Sequence, residues 1–99
     1  DPRDIGIPLA DIDDLLGGDA AHNAEVVRRV FSGDTGPVRD IVLLNAAAGI
    51  VAYELYQDAG QVQTPIVERL AAAKERAAEA IDSGAASAKL DAWVEATSR

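Results

Sequence analysis

Apolar residues recur along the chain at the three- and four-residue spacing that is typical of amphipathic α-helices. The first clear helix is predicted over residues 20–32, with Asp19 as its N-cap and Gly33 as its C-terminal stop. Its predicted buried face consists of Ala20, Ala24, Val27, Val30 and Phe31.

The residues before this helix carry weaker patterns. Two prolines and a glycine among residues 1–8 predict an extended segment. Residues 9–16 fit a short helix of about two turns, which Gly17 and Gly18 stop. The apolar side of this short helix would carry Leu9, Ile12, Leu15 and Leu16.

The next helix is the most apolar part of the chain. It is predicted from Pro37, which suits the first helical position, to about Tyr56, a length of about 30 Å. Between Ile41 and Tyr53 it is apolar nearly all round. Such a helix is usually buried on most sides in a larger protein, and a chain of 99 residues can barely surround it.

Two more helices are predicted after a loop at residues 58–61. The first has Thr64 as its cap and Pro65 as its first residue, and it ends at Ser83-Gly84. Its apolar stripe is Ile66, Leu70, Ala73, Ala77 and Ile81. Its charged face is Glu68, Arg69, Lys74, Glu75, Arg76 and Glu79. The last helix spans residues 85–97, with Ala86, Leu90, Trp93 and Val94 on one side, and Trp93 is predicted to anchor the core.

Composition supports a mainly α fold and narrows the possible partners. Aromatic residues make up 4% of the chain and alanine is abundant, which favours helices over a β-sandwich. The 17 acidic and 9 basic residues give a net charge of −8, which disfavours binding to nucleic acid or an anionic membrane. There is no cysteine for disulfides or thiolate metal sites. No run is long enough to span a bilayer, so a cytoplasmic protein is expected.

The candidates for metal chemistry are one histidine and an acidic cluster. His22 would need converging partners such as Asp19 or Glu25, and an exposed residue in the first helical turn is the favoured interpretation. The acidic cluster is Asp11, Asp13, Asp14 and Asp19. Counted from Asp11, Leu16 and His22 occupy the places where a calcium loop needs glycine and glutamate. A solvated helix face is therefore favoured over a cation site.

Three other features could carry chemistry. Gly17-Gly18-Asp19 before a helix resembles a phosphate cradle, but the carboxylate would repel phosphate, so a capping role is favoured. Asn45 and Gly49 share one face of the apolar helix. They could shape a ligand pocket, but a backbone hydrogen bond from Asn45 and a close approach at Gly49 are favoured. No recognisable motif places a histidine as base beside Ser32, Ser83, Ser87 or Ser98.

Five short motifs follow one another in order along the chain. They are Leu15-Leu16-Gly17-Gly18-Asp19-Ala20; Asn23-Ala24; Gly33 with Gly36-Pro37-Val38-Arg39-Asp40; Val42-Leu43-Leu44-Asn45-Ala46-Ala47; and Ala80-Ile81-Asp82-Ser83-Gly84-Ala85 with Leu90. With the opening Asp1-Pro2 and Ile5-Gly6-Ile7, this series resembles the C-terminal segment of the anthranilate phosphoribosyltransferases. The resemblance covers essentially the whole chain.

The resemblance implies a parent enzyme that uses magnesium and transfers the phosphoribosyl group of phosphoribosyl pyrophosphate to anthranilate, in tryptophan biosynthesis. That family has a small helical domain joined to a larger α/β domain, with the active site in the cleft between them. Its diphosphate motif is Gly-Thr-Gly-Gly-Asp and an Asp-Glu pair binds magnesium. Here Leu15-Leu16 stand where Gly-Thr is required, and no Asp-Glu dipeptide occurs.

No catalytic, cofactor-binding or metal-binding residue can therefore be carried over, and nothing assigns Asp19, Asn23 or Asn45 a role beyond structure. The expected fold is mainly α, with four to five helices forming the C-terminal helical part of a larger α/β phosphoribosyltransferase domain. Residues 1–99 are expected to be one fragment, inactive alone, whose partner is the rest of the parent enzyme.

Two other interpretations remain open at this stage. One is a fragment of a pyrimidine nucleoside phosphorylase, and the other is an independent acidic helical module for protein interactions. Self-association through the apolar helix 37–56 is also expected, because a missing sheet would leave apolar side chains exposed. The residues named for that surface are Ile41, Val42, Leu44, Ile50, Val51 and Phe31.

Overall fold

A computed structural model of the chain describes residues 1–98, and for residue 61 its backbone alone. Four α-helices form the described part: α1 (Ala20–Phe31), α2 (Pro37–Gln57), α3 (Ile66–Asp82) and α4 (Ala85–Thr97). Short 3₁₀ helices span Pro2–Ile5, Ile12–Leu15 and Ala59–Gln63, and residues 1–98 contain no β-strand. The prediction of a mainly α chain with four to five helices is confirmed.

The helix boundaries follow the local start and stop residues. Pro37 lies in the first turn of α2, and Gly33, with φ 103°, follows the end of α1. Gly84, with φ 86°, separates α3 from α4 in a left-handed conformation that glycine adopts without strain. The helix α3 begins one residue later than predicted, because Pro65, and not Thr64, is its N-cap.

The predictions for the irregular segments need correction. The first eight residues are not simply extended, because Asp1 caps a 3₁₀ helix over Pro2–Ile5 that ends at Gly6. The predicted helix at residues 9–16 shrinks to Ile12–Leu15, since a lone helix of two turns lacks the length to stabilise itself. Its four apolar side chains, Leu9, Ile12, Leu15 and Leu16, are all exposed. The predicted loop at residues 58–61 is largely the 3₁₀ helix Ala59–Gln63.

The core lies where α2 packs against α3. One cluster joins Val30, Leu43, Ala77 and Ile81, and the other joins Ala47, Val51 and Ala73. The amino-terminal segment adds Ile5 and Ile7, and the Lys74 ammonium donates a 2.9 Å hydrogen bond to the Ile5 carbonyl, which fastens that segment to α3. Lys74 is therefore half-buried, and its prediction as part of an outer charged face was wrong.

Other side chains also depart from their predicted positions. On α1 only Val30 is buried, while Ala20, Ala24 and Val27 are exposed, so the predicted apolar face of that helix is mostly open. Trp93 is 68% exposed and does not anchor the core. Arg69, predicted on the charged face of α3, is buried at 8% exposure. The core of the described residues is thus thin, and large apolar side chains lie outside it.

Candidate functional site

The Gly17-Gly18-Asp19 turn is built as a helix cap. Asp19 has an extended backbone, and its Oδ1 accepts a 2.8 Å hydrogen bond from the His22 amide in the first turn of α1. An N-cap carboxylate satisfies one of the free amides of the helix and places its charge at the positive end of the helix dipole. The capping interpretation is confirmed, and a carboxylate now occupies the position that a phosphate would need.

Asn23 completes this turn, and the sequence analysis did not identify its role. Its Oδ1 accepts a 2.9 Å hydrogen bond from the Gly18 amide, and its Nδ2 donates a 3.1 Å bond to the Gly18 carbonyl. A Cβ at Gly17 would lie 2.9 Å from Asn23 Oδ1, so a side chain there would displace this clamp. The sequence offers one signal for this clamp, which is an asparagine five residues after the Gly17-Gly18 pair at the start of a helix.

Asp19→Ala is expected to lower the free energy of unfolding by about 0.5–2 kcal/mol, because the His22 amide loses its acceptor. Urea denaturation followed by helical circular dichroism measures the change. Asp13→Ala is the matched control, since Asp13 is exposed and does not cap α1. In the complete enzyme the turnover of Asp19→Ala should stay within a few-fold of wild type. A loss of several hundred-fold at an unchanged melting temperature would contradict a purely structural role.

The other acidic residues do not converge on a metal position. Asp14 Oδ2 accepts a 2.9 Å bond from the Asp11 amide, which is a local cap of the 3₁₀ helix. His22 is exposed. Among residues 1–98 there is no group of three or more His, Cys, Asp or Glu residues that could hold a metal ion.

Asn45 and Gly49 do not make the contacts that were favoured for them. Asn45 is exposed, and no hydrogen bond joins its side chain to another described residue. A Cβ at Gly49 would meet nothing within 4 Å. The favoured interpretation was wrong for the chain by itself, because nothing within residues 1–98 approaches this face of α2.

Serine hydroxyls are used for local backbone contacts. Ser32 Oγ donates a 2.8 Å bond to the Arg28 carbonyl and Ser98 Oγ a 2.6 Å bond to the Val94 carbonyl. Ser83 Oγ donates to the Ala80 carbonyl at 3.4 Å. A nucleophilic serine needs an adjacent base, and His22 has no such contact with a serine in the described chain.

An ion pair in which both pKa values are shifted links the two helices of the core. Arg39 on α2 donates two 2.9 Å hydrogen bonds to the carboxylate of Asp82 at the end of α3. These hydrogen bonds lower the pKa of Asp82 below its ordinary value and raise the pKa of Arg39. The Arg39 side chain is 11% exposed and that of Asp82 53%, so the pair lies at the surface edge of the core.

In acid, Asp82 is expected to stop contributing to stability. Its folded pKa lies below 3.8, so its contribution is fully present above that pH and is lost as the pH falls through the folded pKa. Urea midpoints of wild type and Asp82→Asn should therefore differ at about pH 6 and differ less at a second pH, below 3.8. Asp13→Asn is the control. A gap between wild type and Asp82→Asn that is equal at both pH values would contradict the assignment.

An apolar trough crosses one side of the molecule, and we define it by Tyr53, Gly49, Ala46, Phe31, Ala86 and Trp93. Three adjoining hollows form it: Ala46 is shared by the first and second, and Phe31 and Ala86 by the second and third. Their volumes are about 580, 430 and 640 Å³. The lining includes five alanines and Gly49 together with larger apolar side chains such as Ile50 and Leu90. The two ends carry exposed aromatic side chains, Tyr53 at 62% and Trp93 at 68%. The Glu54–Arg76 ion pair and Lys89 edge the trough.

Comparison with known proteins assigns the chain to a family. The family model described as the α/β domain of a glycosyl transferase family matches residues 1–87, which is most of the chain. The chain belongs to this glycosyl transferase family. No solved structure matches the chain significantly.

The relatives within the family carry one name. Proteins named anthranilate phosphoribosyltransferase from Leifsonia xyli subsp. xyli, Clavibacter sepedonicus and Thermobifida fusca are 64%, 54% and 55% identical over 97 residues, or 98% of this chain. These 97 residues make up only 28%, 28% and 26% of the relatives' own lengths. The chain is therefore similar to about a quarter of each of these enzymes, and the resemblance to this family stated from its motifs is confirmed.

No helix among the described residues is long and apolar enough to cross a membrane. The family is described by an α/β domain, yet residues 1–98 supply helices and no strand.

Proposed function

We propose that the chain is the C-terminal helical portion of the α/β domain of an enzyme that transfers the phosphoribosyl group of phosphoribosyl pyrophosphate to anthranilate. The observation that carries this proposal is the 64% identity to a protein named for that activity, sustained over 97 residues. In this reaction the amino nitrogen bonds to the ribosyl carbon and pyrophosphate leaves. Tryptophan biosynthesis in the cytoplasm is the setting that we propose for the complete enzyme.

The groups that stabilise the departing pyrophosphate are proposed to lie outside this segment. Cationic or metal groups must neutralise the charge that develops on the leaving group. Within residues 1–98 the acidic side chains do not form a metal-binding group, and the Gly18 and His22 amides are taken by Asn23 and Asp19. The residues present do not fit magnesium, so we propose no catalytic, cofactor-binding or metal-binding residue here and no step through the metal.

The proposed role of the segment is structural, and its proposed partner is the rest of the enzyme. The helices α2 and α3 form the rigid unit, and the Arg39–Asp82 pair fixes the start of one against the end of the other. The net charge of −8 supports the proposal that neither nucleic acid nor a membrane is a partner. The relatives' common name favours this enzyme over a nucleoside phosphorylase, and their greater length favours it over an independent interaction module.

The chain alone is expected to show no phosphoribosyl transfer. We also expect calorimetry with magnesium and phosphoribosyl pyrophosphate to show no binding tighter than about 10 µM. The matching experiment assays the protein encoded by the complete reading frame for consumption of anthranilate with the same two reagents. Turnover by the complete protein together with none by the chain is the expected result. Micromolar binding to the chain would instead restore the Gly17-Gly18-Asp19 turn as a ligand site. A complete protein without turnover would overturn the proposed activity.

A further inference from the structure

We propose that the apolar trough is the surface on which the β-sheet of the family's α/β domain packs. This inference rests on the proposal above that the chain is a segment of a longer enzyme. The relatives are about three and a half times longer than the matched segment, which spans 28% of the first of them. The family is defined by an α/β domain, and residues 1–98 hold no strand of it. Stable layered folds of that class bury the apolar side of their helices against the sheet.

The shape of the trough suits a sheet. Ala46 and Gly49 are the small residues on the α2 side of the trough, and a Cβ at Gly49 would meet nothing within 4 Å, so a flat layer can approach α2 closely at this point. Strands covered on both faces carry runs of valine, isoleucine and leucine, and their branched side chains would fill the three hollows. The trough extends over α1, α2, α3 and α4, which is wider than one helix from a partner would cover.

The exposed aromatic residues support the same occupant. Tyr53 and Trp93 lie at opposite ends of the trough, and each is more than half exposed. Aromatic side chains contribute most of their stabilising energy when buried, so two exposed ones at the ends of an apolar surface indicate a missing layer. The charged groups beside the trough are Lys89 and the Glu54–Arg76 pair. Arg76 lines two of the three hollows, and its side chain is 63% exposed.

Cysteine labelling tests this assignment, because the chain has no cysteine of its own. Single cysteines are placed in the trough as Gly49→Cys and Ala86→Cys. Ala88→Cys is the matched control, being exposed on α4 outside the trough. Each variant is prepared as the isolated chain, at a concentration at which light scattering shows a monomer, and within a chimera of the Leifsonia xyli relative in which the variant sequence replaces the 97 matching residues. Ala47→Cys gives the protected reference in both proteins, since Ala47 is fully buried. The relative's own cysteines are distinguished by the masses of the labelled peptides.

The expected result is that the cysteines at positions 49 and 86 react at least about tenfold more slowly in the full-length protein than in the isolated chain, while the cysteine at position 88 changes less than about twofold. Equal labelling of the trough positions in the two proteins would overturn the sheet assignment. Phosphoribosyl transfer by the same full-length proteins is a separate readout. Protection without activity would support the packing surface and refute the proposed activity. Activity without protection would overturn the sheet assignment and leave the proposed activity standing.

Discussion

Leu43→Ala is expected to lower the free energy of unfolding by about 2–5 kcal/mol. Leu43 is 6% exposed and lies in the larger core cluster, between Val30 of α1 and Ala77 and Ile81 of α3. Removing its side chain loses the transfer energy of three carbon atoms and leaves a cavity that α2 and α3 cannot close without moving. The net stability of a folded domain is only about 5–15 kcal/mol, so this loss should lower the urea midpoint clearly.

Urea denaturation followed by the helical signal measures the effect. Tyr56→Ala on the same helix is the control, because Tyr56 is 88% exposed and its loss should cost less than about 0.5 kcal/mol. Similar losses from the two variants would show that α2 is not held by the cluster around Leu43, and the assignment of the core would then be wrong.

The helices of this fold could be predicted because their boundaries depend on neighbouring residues. Pro37 fixes its own φ near the value of a helix and lacks an amide that would need a partner there. Gly33 and Gly84 have positive φ angles that other residues rarely adopt, so each ends a helix whatever it packs against. The prediction for α4 over residues 85–97 matched the structure for the same reason.

The positions of side chains could be predicted less well, because they depend on which surface the rest of the protein covers. Val27 and Trp93 have the spacing of core residues, yet they are 41% and 68% exposed. The apolar pattern records burial in the complete protein, whereas the described residues show the segment without its neighbours. Helical spacing identified the buried stripe of α3 at Ala73, Ala77 and Ile81, but Ile66, predicted for the same stripe, is 54% exposed.

Arg69 shows a different limit. Its charge placed it on the outer face of α3, but its long aliphatic stem packs inside and its Nη2 donates to the Val51 carbonyl at 3.4 Å. Its Nε is buried and has no hydrogen-bond partner within residues 1–98. A position beside the apolar stripe was visible in the spacing, but no pattern in a single sequence shows whether such a residue bends outward or inward.

The candidate site was predicted in part. The cap at Asp19 was predicted correctly, because this prediction needs only a residue of capping type directly before a helix. The clamp from Asn23 to Gly18 spans five residues and requires the turn geometry, so residue type alone did not identify it. The activity that we propose could be inferred only through the order of the motifs, because no single residue pattern in the chain points to it.

The isolated chain is expected to self-associate, most simply as a two-fold dimer through the exposed surface of α2. The helix exposes Ile41 at 37%, Val42 at 36% and Tyr53 at 62%, and the trough continues from it toward Phe31. Val51, which the sequence analysis included in this surface, is excluded because it is buried at 4%. Contiguous apolar patches beyond a few hundred Å² tend to become interfaces.

Charge opposes this association but does not decide it. The net charge of −8 acts through surface repulsion, which salt screens within about 8–10 Å. Burial at about 25 cal/mol per Å² can exceed that repulsion and the entropy cost of association when enough apolar surface is covered. Added salt should therefore strengthen the dimer.

Light scattering over a concentration series, at low and moderate salt, measures the mass, which should rise from 10.3 kDa toward twice that value. Val42→Glu adds a charge to the surface of α2 and should keep the chain monomeric. Val62→Glu is the matched control, since Val62 is 65% exposed outside α2 and its variant should associate as wild type does. A monomer at about 10⁻⁴ M in both salts would contradict this prediction. It would mean that the exposed and half-buried apolar side chains of α2 and the trough are tolerated in water, and that the thin core is sufficient without a partner layer.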